Sequence, residues 1–371
     1  MTQPRVALVH DSLAAYGDPE RVLEGLHRLY PQAPIYTAYV HPQWEQLRRY
    51  CTSEPTPPWD FRPLGTRPLD LGSPLALWQV PRLWESLDLR DYEVVISSTW
   101  GGLSHGVRVA PHSLHLCYCH TPDLRRWGSP DPGLSPWQEW IQSQLRRYDF
   151  YAAQRVDRWV TNSHRVARRI HRAYQRSADV IPPPVTLQGY GQAGERHYLY
   201  IGDLDRRYQV DLLVQACTRL DRPLRLVGEG RDRELLQQMA GESIEFLGLK
   251  SGDDLQTDHI YANAMALIYP HLGADFGFVP LEAMGRGLPV IAYGGSGMAE
   301  IVLHYRTGLL FPEPTVDSLC ASITEFERLR FFSQACIDRA EEFAAPVFAS
   351  KFDWYLAQAL EDFRSKPGLQ P

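Results

Sequence analysis

Two series of short apolar runs, each run followed by an amphipathic segment, constrain the fold of this chain more than any other feature. Continuous apolar runs are typical of strands buried on both faces of a parallel sheet. Within the first amphipathic segment, Asp18 is predicted as a helix N-cap and Pro19 as the first helical residue. Strands that alternate with helices predict a doubly wound α/β domain. In the first series, strands are predicted at residues 6–11, 34–39, 92–98 and 114–120, and helices at residues 17–30, 136–155 and 163–174.

Three consecutive prolines in VIPPPV, residues 180–185, predict an extended connector after the first series. The second series beyond it predicts another Rossmann-like half, so we expect domains at residues 1–184 and 185–345. Its strands are predicted at residues 197–203, 224–230, 244–248, 266–270 and 289–293, and its helices at residues 210–220, 231–240, 254–264 and 280–286.

Two further segments have a distinctive composition. Residues 52–72 are too rich in proline for regular structure, which predicts a long loop, and long loops in α/β domains are often functional. Residues 346–371 form the last predicted segment, whose helix is amphipathic. Its apolar side consists of Phe348, Phe352, Tyr355, Leu356 and Leu360.

Length and composition limit the class of protein. A chain of 371 residues with 44% hydrophobic content can build two cores. No apolar run is long enough to span a membrane, and the first residues lack the pattern of a signal peptide, so we expect a cytoplasmic protein. The six cysteines lack the paired spacing of zinc or redox sites, and we expect thiols that are mainly buried.

Charge is unevenly distributed along the chain. The formal net charge is −6, yet residues 121–176 contain 11 arginines against five acidic residues. This basic segment also contains Trp127, Trp137 and Trp140, so it could face anionic lipid or a phosphate-bearing acceptor in a peripheral membrane contact. The alternative is a set of solvated helix faces. The overall acidity argues against a nucleic-acid partner.

The loops that follow predicted strands are the candidate functional segments, because ligands of open α/β sheets bind beyond the carboxyl ends of the strands. In ADFGFVPLEAM, Gly277 allows close backbone approach and Pro280 suits the first turn of a helix. Glu282 could bind a ribose diol, or it could simply favour a helix N-terminus. His120 follows a strand and could point into a cleft or be a satisfied structural histidine. The glycines of YGGSG, including Gly295, could form an anion nest or an ordinary turn.

Several common catalytic motifs are missing from the sequence. It contains no nucleophile elbow, no zinc-type histidine pair, no Walker loop and no complete G-x-G-x-x-G after the first strand. Hydrolase, metalloenzyme, nucleotide triphosphatase and classical dehydrogenase functions therefore lose support.

A set of short motifs, spread over nearly the whole chain, resembles one enzyme family. The motifs are His10-Asp11, a helix start related to Gly-Gly-x-Glu, CYCHTP at residues 117–122, Asn162-Ser163, VGEG at residues 227–230, FLG at residues 246–248 and DFGFVPLEAMGRGLPVIAYGG at residues 275–295. With these motifs the chain is similar to GT-B glycosyltransferases of glycosyltransferase family 4, in their bacterial mannosyltransferase-like branch.

This resemblance implies both a fold and a reaction. The fold would have two Rossmann-like domains facing a central cleft, with the C-terminal helix crossing back to the N-terminal domain. The reaction would be retaining transfer of a hexose to a hydroxyl of a glycan or glycolipid acceptor, without a metal or a further cofactor. The donor nucleotide sugar would be GDP-mannose, with a UDP-hexose as the alternative.

The resemblance also implies roles for particular residues. His120 and Glu282 would be the catalytic residues. The acceptor would contact His10, Arg125, Arg126 and Trp127. The donor would contact Gly17, Arg206, Arg207, Leu249, Phe276, Gly277, Phe278, Val279, Glu282 and Gly295.

Four positions depart from the pattern of the family. Ala274 replaces the first glutamate of its E-x7-E motif, and Asp203 and Tyr208 replace an arginine and a lysine that clamp the diphosphate. Asp18 replaces the second glycine of the first turn. These changes weaken the expected donor site by several kcal/mol, since each charge-assisted contact to phosphate is worth about 1.5 to 3 kcal/mol. Arg206 and Arg207 could restore the cations, and the alternative function is a non-catalytic binding or scaffold protein.

Overall fold

The structure is a computed structural model that describes residues 4–52, 55–128, 133–187, 194, 196–251, 260–261 and 263–365. The chain forms two compact units. The first unit comprises Met1–Arg48, Glu54–Pro184 and Phe348–Pro371, and the second comprises Arg49–Ser53 and Val185–Val347. Among the described residues, every helix is too short or too polar to cross a lipid bilayer.

A parallel sheet of seven strands, in the order β3-β2-β1-β4-β5-β6-β7, forms the centre of the first unit. Its strands are β1 (Val6–His10), β2 (Ile35–Thr37), β3 (Phe61–Pro63), β4 (Val94–Thr99), β5 (Leu114–Cys119), β6 (Arg158–Thr161) and β7 (Asp179–Val180). Its helices are α1 (Asp18–Leu29), α2 (Trp44–Cys51), α3 (Ala76–Glu85), α4 (Leu124–Trp127), α5 (Pro136–Ala153) and α6 (His164–Tyr174).

Alternate residues of the strands supply separate cores on the two faces of this sheet, as the side-chain period of two requires. Leu8 packs with α1 on one face, whereas Ala7 and Val9 pack with α3 and α5 on the other. The last helix, α12 (Ala345–Arg364), joins the α1 side. Its buried residues Phe348, Phe352, Leu356 and Leu360 confirm the predicted apolar side, with Tyr355 partly buried beside them.

The second unit contains a parallel sheet of six strands in the order β10-β9-β8-β11-β12-β13. Apolar cores cover both of its faces. Its strands are β8 (His197–Ile201), β9 (Leu224–Val227), β10 (Ile244–Gly248), β11 (Ala264–Tyr269), β12 (Val290–Tyr293) and β13 (Gly308–Phe311). Its helices are α7 (Val210–Leu220), α8 (Arg233–Met239), α9 (Phe278–Gly285), α10 (Val316–Phe326) and α11 (Ser333–Glu341).

The predicted α/β class with two doubly wound sheets is confirmed. Three local predictions need correction, and a fourth lies mostly outside the described residues. The proline-rich segment 52–72 contains strand β3, which pairs in parallel with β2 at the edge of the sheet. The N-cap of α1 is Gly17 rather than Asp18, which is the first helical residue. Helix α9 begins at Phe278, two residues before the predicted start. Most of the helix predicted at 254–264 lies outside the described residues.

Candidate functional site

Each sheet has one point where the strand order reverses direction, and open α/β sheets bind ligands in the crevice beyond the strands at such a point. In the first unit this point lies between β1 and β4, and in the second between β8 and β11. The candidate site residues are therefore those at the carboxyl ends of these four strands and of their neighbours β5 and β12.

A buried carboxylate organises the loop after β4. Asp11, which directly follows β1, is 2% exposed, and its two oxygens accept hydrogen bonds from four backbone amides and one hydroxyl. Burial alone would raise the pKa of Asp11, but hydrogen bonds from Ser104 and Trp100 and the nearby His10 lower it below its ordinary value. The charged carboxylate thus holds the loop in one conformation. The donors are Thr99 Oγ1 and the amides of Trp100, Gly101, Gly102 and Ser104.

Four polar side chains form a buried chain of hydrogen bonds at the same edge of the sheet. Glu20 Oε1 lies 3.3 Å from His10 Nε2, and His10 Nδ1 lies 3.1 Å from Ser98 Oγ. Ser98 Oγ in turn lies 2.9 Å from His120 Nε2. When His10 is neutral, it donates to Glu20 and accepts from Ser98, so Ser98 accepts from His120 Nε2–H. This order leaves Nδ1 of His120 as a hydrogen-bond acceptor.

His120 is held in its neutral form. Its side chain is 7% exposed, and burial, with a further contribution from His10, lowers its pKa to about 3. Asn162 Nδ2 donates to the backbone oxygen of His120 over 3.0 Å. The imidazole is therefore a rigid neutral group at physiological pH, suited to hydrogen bonding rather than to carrying a positive charge.

A side chain in the first turn of α1 accepts a hydrogen bond from the backbone amide of the N-cap residue, Gly17. Glu20 Oε2 accepts from the amide of Gly17 over 2.9 Å, while Glu20 Oε1 contacts His10. The donor contact at Gly17 stays a prediction, and the amide of Gly17 is engaged by a side chain three residues ahead. Glu20 therefore links the start of α1 to the histidine chain.

The predicted acceptor residues divide into buried and exposed groups. His10 is 0% exposed and Arg126 is 1% exposed, so neither reaches an acceptor in this structure. Arg126 instead donates to the oxygen of Gly101 over 2.6 Å and pairs with Asp123 and Asp149.

Trp127 also faces the interior, since its Nε1 donates to Asp149 Oδ2 over 2.7 Å. Arg125 remains 60% exposed at its side chain. The acceptor contacts of His10, Arg126 and Trp127 therefore stay predictions, and in this structure the three side chains connect the loops through hydrogen bonds and ion pairs.

Close packing of two loops shapes the corresponding edge in the second unit. The amide of Gly297 donates to the oxygen of Ala274 over 2.7 Å. A Cβ at Gly297 would lie 2.6 Å from the oxygen of Asp275, and a Cβ at Gly277 would lie 2.6 Å from Met298 Cε. Close approach to backbone oxygens therefore requires glycine at Gly297, where the loop after β12 meets the loop after β11, whereas the flexible side chain of Met298 could move away from a Cβ at Gly277.

Helix α9 places the other predicted donor residues. Glu282 is the fifth residue of the helix and is partly buried, so it lies beyond the first turn in which the helix dipole favours a carboxylate. Phe276 and Phe278 are buried in the core, which leaves only their backbone groups for a ligand. Val279 is partly buried. Among the remaining predicted donor residues, Leu249 and Gly295 are exposed.

The cations of the loop after β8 are paired with aspartates. Arg207 Nε donates to Asp205 Oδ2 over 2.9 Å, and Arg206 Nε lies 3.7 Å from Asp232 Oδ2. Hydrogen bonds from Arg207 hold the pKa of Asp205 at about 2, so this pair is charged at neutral pH. The arginine side chains are 66% and 56% exposed, and they reach a diphosphate only by leaving these partners.

An aromatic stack occupies the position that the family pattern gives to a lysine. Tyr208 stacks on His271, which also contacts the ring of Tyr269. His271 Nε2 lies 3.1 Å from Tyr200 Oη, and burial lowers the pKa of His271 to about 3. The stack links the loop after β8 to the loop after β11 through neutral groups.

Sequence reasoning missed three of these residues. Ser98 lies at the carboxyl end of β4, Asp11 follows β1 and His271 follows β11, so the rule that ligands meet the carboxyl ends of strands could have found all three. Nothing in the sequence shows that Ser98 joins two histidines that are distant along the chain. Among the described residues, no group of three or more histidine, cysteine, aspartate or glutamate side chains could hold a metal ion.

Comparison with known protein families assigns both units. The family model described as Glycosyltransferase Family 4 matches residues 20–188, and the model described as Glycosyl transferases group 1 matches residues 191–343. The two matches follow one another along almost the whole chain. The chain belongs to glycosyltransferase family 4.

Relatives and a solved structure agree with this family. An uncharacterized glycosyltransferase of Methanocaldococcus jannaschii is 26% identical over 56% of this chain and 59% of its own length. O-antigen chain mannosyltransferase B of Escherichia coli is 32% identical over 40% of this chain and 42% of its own length. The chain thus spans less than two thirds of either relative. Anabaena HepE, solved in complex with UDP-glucose, has the same fold, with a TM-score of 0.68, 17% identity and coverage of 95% of this chain and 100% of HepE.

Proposed function

We propose that this protein is a retaining glycosyltransferase that moves a hexose, with mannose as the first candidate, from a nucleotide sugar to a hydroxyl of a glycan or glycolipid. Its membership of glycosyltransferase family 4 supports the reaction class. The similarity to an O-antigen chain mannosyltransferase supports mannose, and therefore GDP-mannose as donor. The fold shared with a protein solved with UDP-glucose makes a UDP-hexose the alternative.

The observation that carries the proposal is the buried chain Glu20–His10–Ser98–His120. Burying four polar side chains is costly unless every one is satisfied, and with His10 neutral this chain satisfies its members in a single direction. At the end of this hydrogen-bonded chain, the imidazole of His120 is rigid and neutral, and its Nδ1 can accept a hydrogen bond. We assign this acceptor to a hydroxyl of the transferred sugar.

The second unit supplies the donor contacts in this proposal. The carboxylate of Glu282 accepts hydrogen bonds from a ribose diol, and the nucleotide base lies beside the exposed Leu249. Backbone groups of residues 276–279 and the glycine-containing turn at 294–297 contact the sugar and the diphosphate. Support comes from Glu282 lying in the second turn of α9, where stabilisation by the helix dipole does not explain a carboxylate.

The proposed reaction breaks one bond and forms one. The bond between C1 of the sugar and the diphosphate oxygen breaks, and a new bond from C1 to the acceptor oxygen forms on the same face of the sugar. The proton of the acceptor hydroxyl passes to the departing diphosphate. Because His120 stays neutral above about pH 3, its protonation adds no inflection to the activity profile between pH 6 and pH 8.

A non-catalytic binding or scaffold function is the second candidate. It is favoured by the paired state of Arg206 and Arg207 and by the aromatic stack of Tyr208 on His271. These features leave the expected diphosphate position with fewer available cations than the family pattern requires, and Ala274 lacks the carboxylate that this pattern places beside the sugar. Such a protein would keep the fold without transferring sugar.

A transfer assay separates the two candidates. The purified protein is incubated with radiolabelled GDP-mannose or UDP-glucose and a mixed fraction of bacterial glycans and glycolipids. We expect transfer that His120→Ala lowers roughly 2- to 10-fold, because one hydrogen bond to the transferred sugar, worth about 0.5 to 1.5 kcal/mol, is lost. His112→Ala, which removes an exposed histidine of the same unit, leaves transfer unchanged. Absence of transfer with all donors, from protein that unfolds cooperatively, supports the scaffold function.

A further inference from the structure

A layer of three helices covers one face of the sheet in the first unit. The crossovers that contain α3, α5 and α6 run from β3 to β4, from β5 to β6 and from β6 to β7, all in one direction across the sheet. Right-handed crossovers in one direction place their helices on the same face. Helix α5 also contacts both α3 and α6. We call the outer surface of these three helices the helical layer.

Large aromatic side chains are exposed on the helical layer. Trp137 and Trp140 lie one turn apart on α5, are 55% and 45% exposed, and stack with ring centroids 4.8 Å apart. Trp78 on α3 is 69% exposed, and the guanidinium of Arg82 lies 5.0 Å from its ring centroid. Tyr151 is 64% exposed near the end of α5. Tryptophan and tyrosine are enriched at the boundary between water and a membrane, where one part of the side chain is apolar and another is polar.

The helical layer also carries positive charge without compensation. Arg147, Arg168 and Arg172 are exposed, and among the described residues no carboxylate pairs with any of them. Helix α6 contains four arginines and two histidines but no acidic residue. Of the two acidic residues of α5, Asp149 is buried and only Glu139 is exposed. The surface is therefore complementary to a densely anionic partner.

We propose that the helical layer docks on a lipid bilayer that contains anionic headgroups. Exposed tryptophans enter the interfacial region, while the unpaired arginines bind lipid phosphates. A soluble polyanion would use the arginines but would give no reason to expose three tryptophans on the same face. This proposal is independent of the proposed sugar transfer, because it uses neither His120 nor Glu282.

Vesicle sedimentation with the full chain tests the proposal. The protein is expected to bind vesicles of phosphatidylcholine mixed with phosphatidylglycerol, to release them as salt rises, and to ignore vesicles of phosphatidylcholine alone. Trp137→Ala with Trp140→Ala should weaken binding roughly tenfold, since both interfacial rings are lost. Arg147→Glu with Arg172→Glu should weaken it at least about 25-fold, at roughly fivefold for each arginine.

Two variants serve as matched controls. Trp354→Ala removes a tryptophan that is 67% exposed on α12, which packs against the opposite face of the same sheet. Arg328→Glu reverses an exposed arginine in the second unit. Both should bind vesicles like the unchanged protein. The proposal is overturned if the anionic vesicles do not bind, if the controls weaken binding as much as the test variants, or if the loss of the two tryptophans leaves vesicle binding unchanged.

Discussion

Tyr208 stacks on His271, with ring centroids 4.7 Å apart and ring planes inclined by 28°. The contact joins the loop after β8 to the loop after β11 at the point where the strand order of the second sheet reverses. The family pattern expects a lysine at this position of the first loop. The proposed donor site therefore has a neutral aromatic stack where the resemblance implies a cation.

Restoring the cations should strengthen donor binding. Asp203→Arg with Tyr208→Lys removes one carboxylate and adds two groups that can bind a diphosphate. Each charge-assisted contact is worth about 1.5 to 3 kcal/mol, so two such contacts should lower the Kd for the nucleotide sugar by roughly 150-fold or more. Calorimetric titration measures the change. Glu313→Arg, on an exposed loop of the same unit, should leave the Kd unchanged, and an equal gain in that control would show that the effect is only long-range charge.

Removing the negative charge of Asp11 should destabilise the first unit. Asp11→Asn replaces an acceptor that serves four amides, and we expect the free energy of unfolding to fall by about 3 kcal/mol at pH 7. Denaturation in urea measures this difference. Asp91→Asn, an exposed position, should change the free energy by less than about 0.5 kcal/mol.

The contribution of Asp11 should also depend on pH. Its folded pKa is lowered below the ordinary value of 3.8, so its stabilisation is fully present above about pH 4 and is lost as the pH falls through the folded pKa. The difference between the unchanged protein and Asp11→Asn should therefore shrink below pH 4. A difference that is constant from pH 7 to pH 3 would contradict a charged Asp11.

Arg126 should act on stability rather than on acceptor binding alone. Arg126→Ala leaves Asp149 buried with one partner fewer and removes the bond to Gly101, so we expect a loss of about 3 kcal/mol in the free energy of unfolding. The neighbouring variant Arg125→Ala removes an exposed side chain and should cost less than about 1 kcal/mol. Equal losses in the two variants would refute the positioning role.

Gly297→Ala should separate the loop after β11 from the loop after β12. The new Cβ would lie 2.6 Å and 2.8 Å from two backbone oxygens, which cannot move aside as a flexible side chain can. We expect a loss of about 1 to 3 kcal/mol in the free energy of unfolding and weaker donor binding. Gly273→Ala is the matched control, since nothing lies within 4 Å of its Cβ position. If both variants behave alike, close approach at Gly297 is not what holds the loops.

Local sequence signals predict most of the fold. The helix predicted at residues 210–220 is observed at Val210–Leu220, because its apolar period and polar ends are both contained in the segment itself. The strand Phe61–Pro63 is different: it has three residues, and its pairing with Ile35–Thr37 depends on a distant segment. Hydrophobic alternation cannot reveal such a short edge strand, and its prolines indicate a loop.

The roles of the candidate site residues were harder to predict from the sequence than the fold, because the role of a polar residue depends on its burial. His10 and Arg126 lie in motifs that resemble an acceptor site, yet each is enclosed by partners from other segments. The motif places Glu282 on a helix, but only the observed start at Phe278 shows that it lies in the second turn. Residue type and spacing thus identified the loops of the candidate site, whereas tertiary contacts were needed to show what each side chain in those loops binds.

Calorimetric titration of the purified protein with GDP-mannose and UDP-glucose at low salt tests the central claim most directly. The proposed glycosyltransferase should bind one nucleotide class saturably, and Glu282→Ala should remove that binding while Glu313→Ala retains it. If neither donor gives heat or raises the Tm of correctly folded protein, the donor site does not function, and the chain is a family 4 fold that acts without sugar transfer.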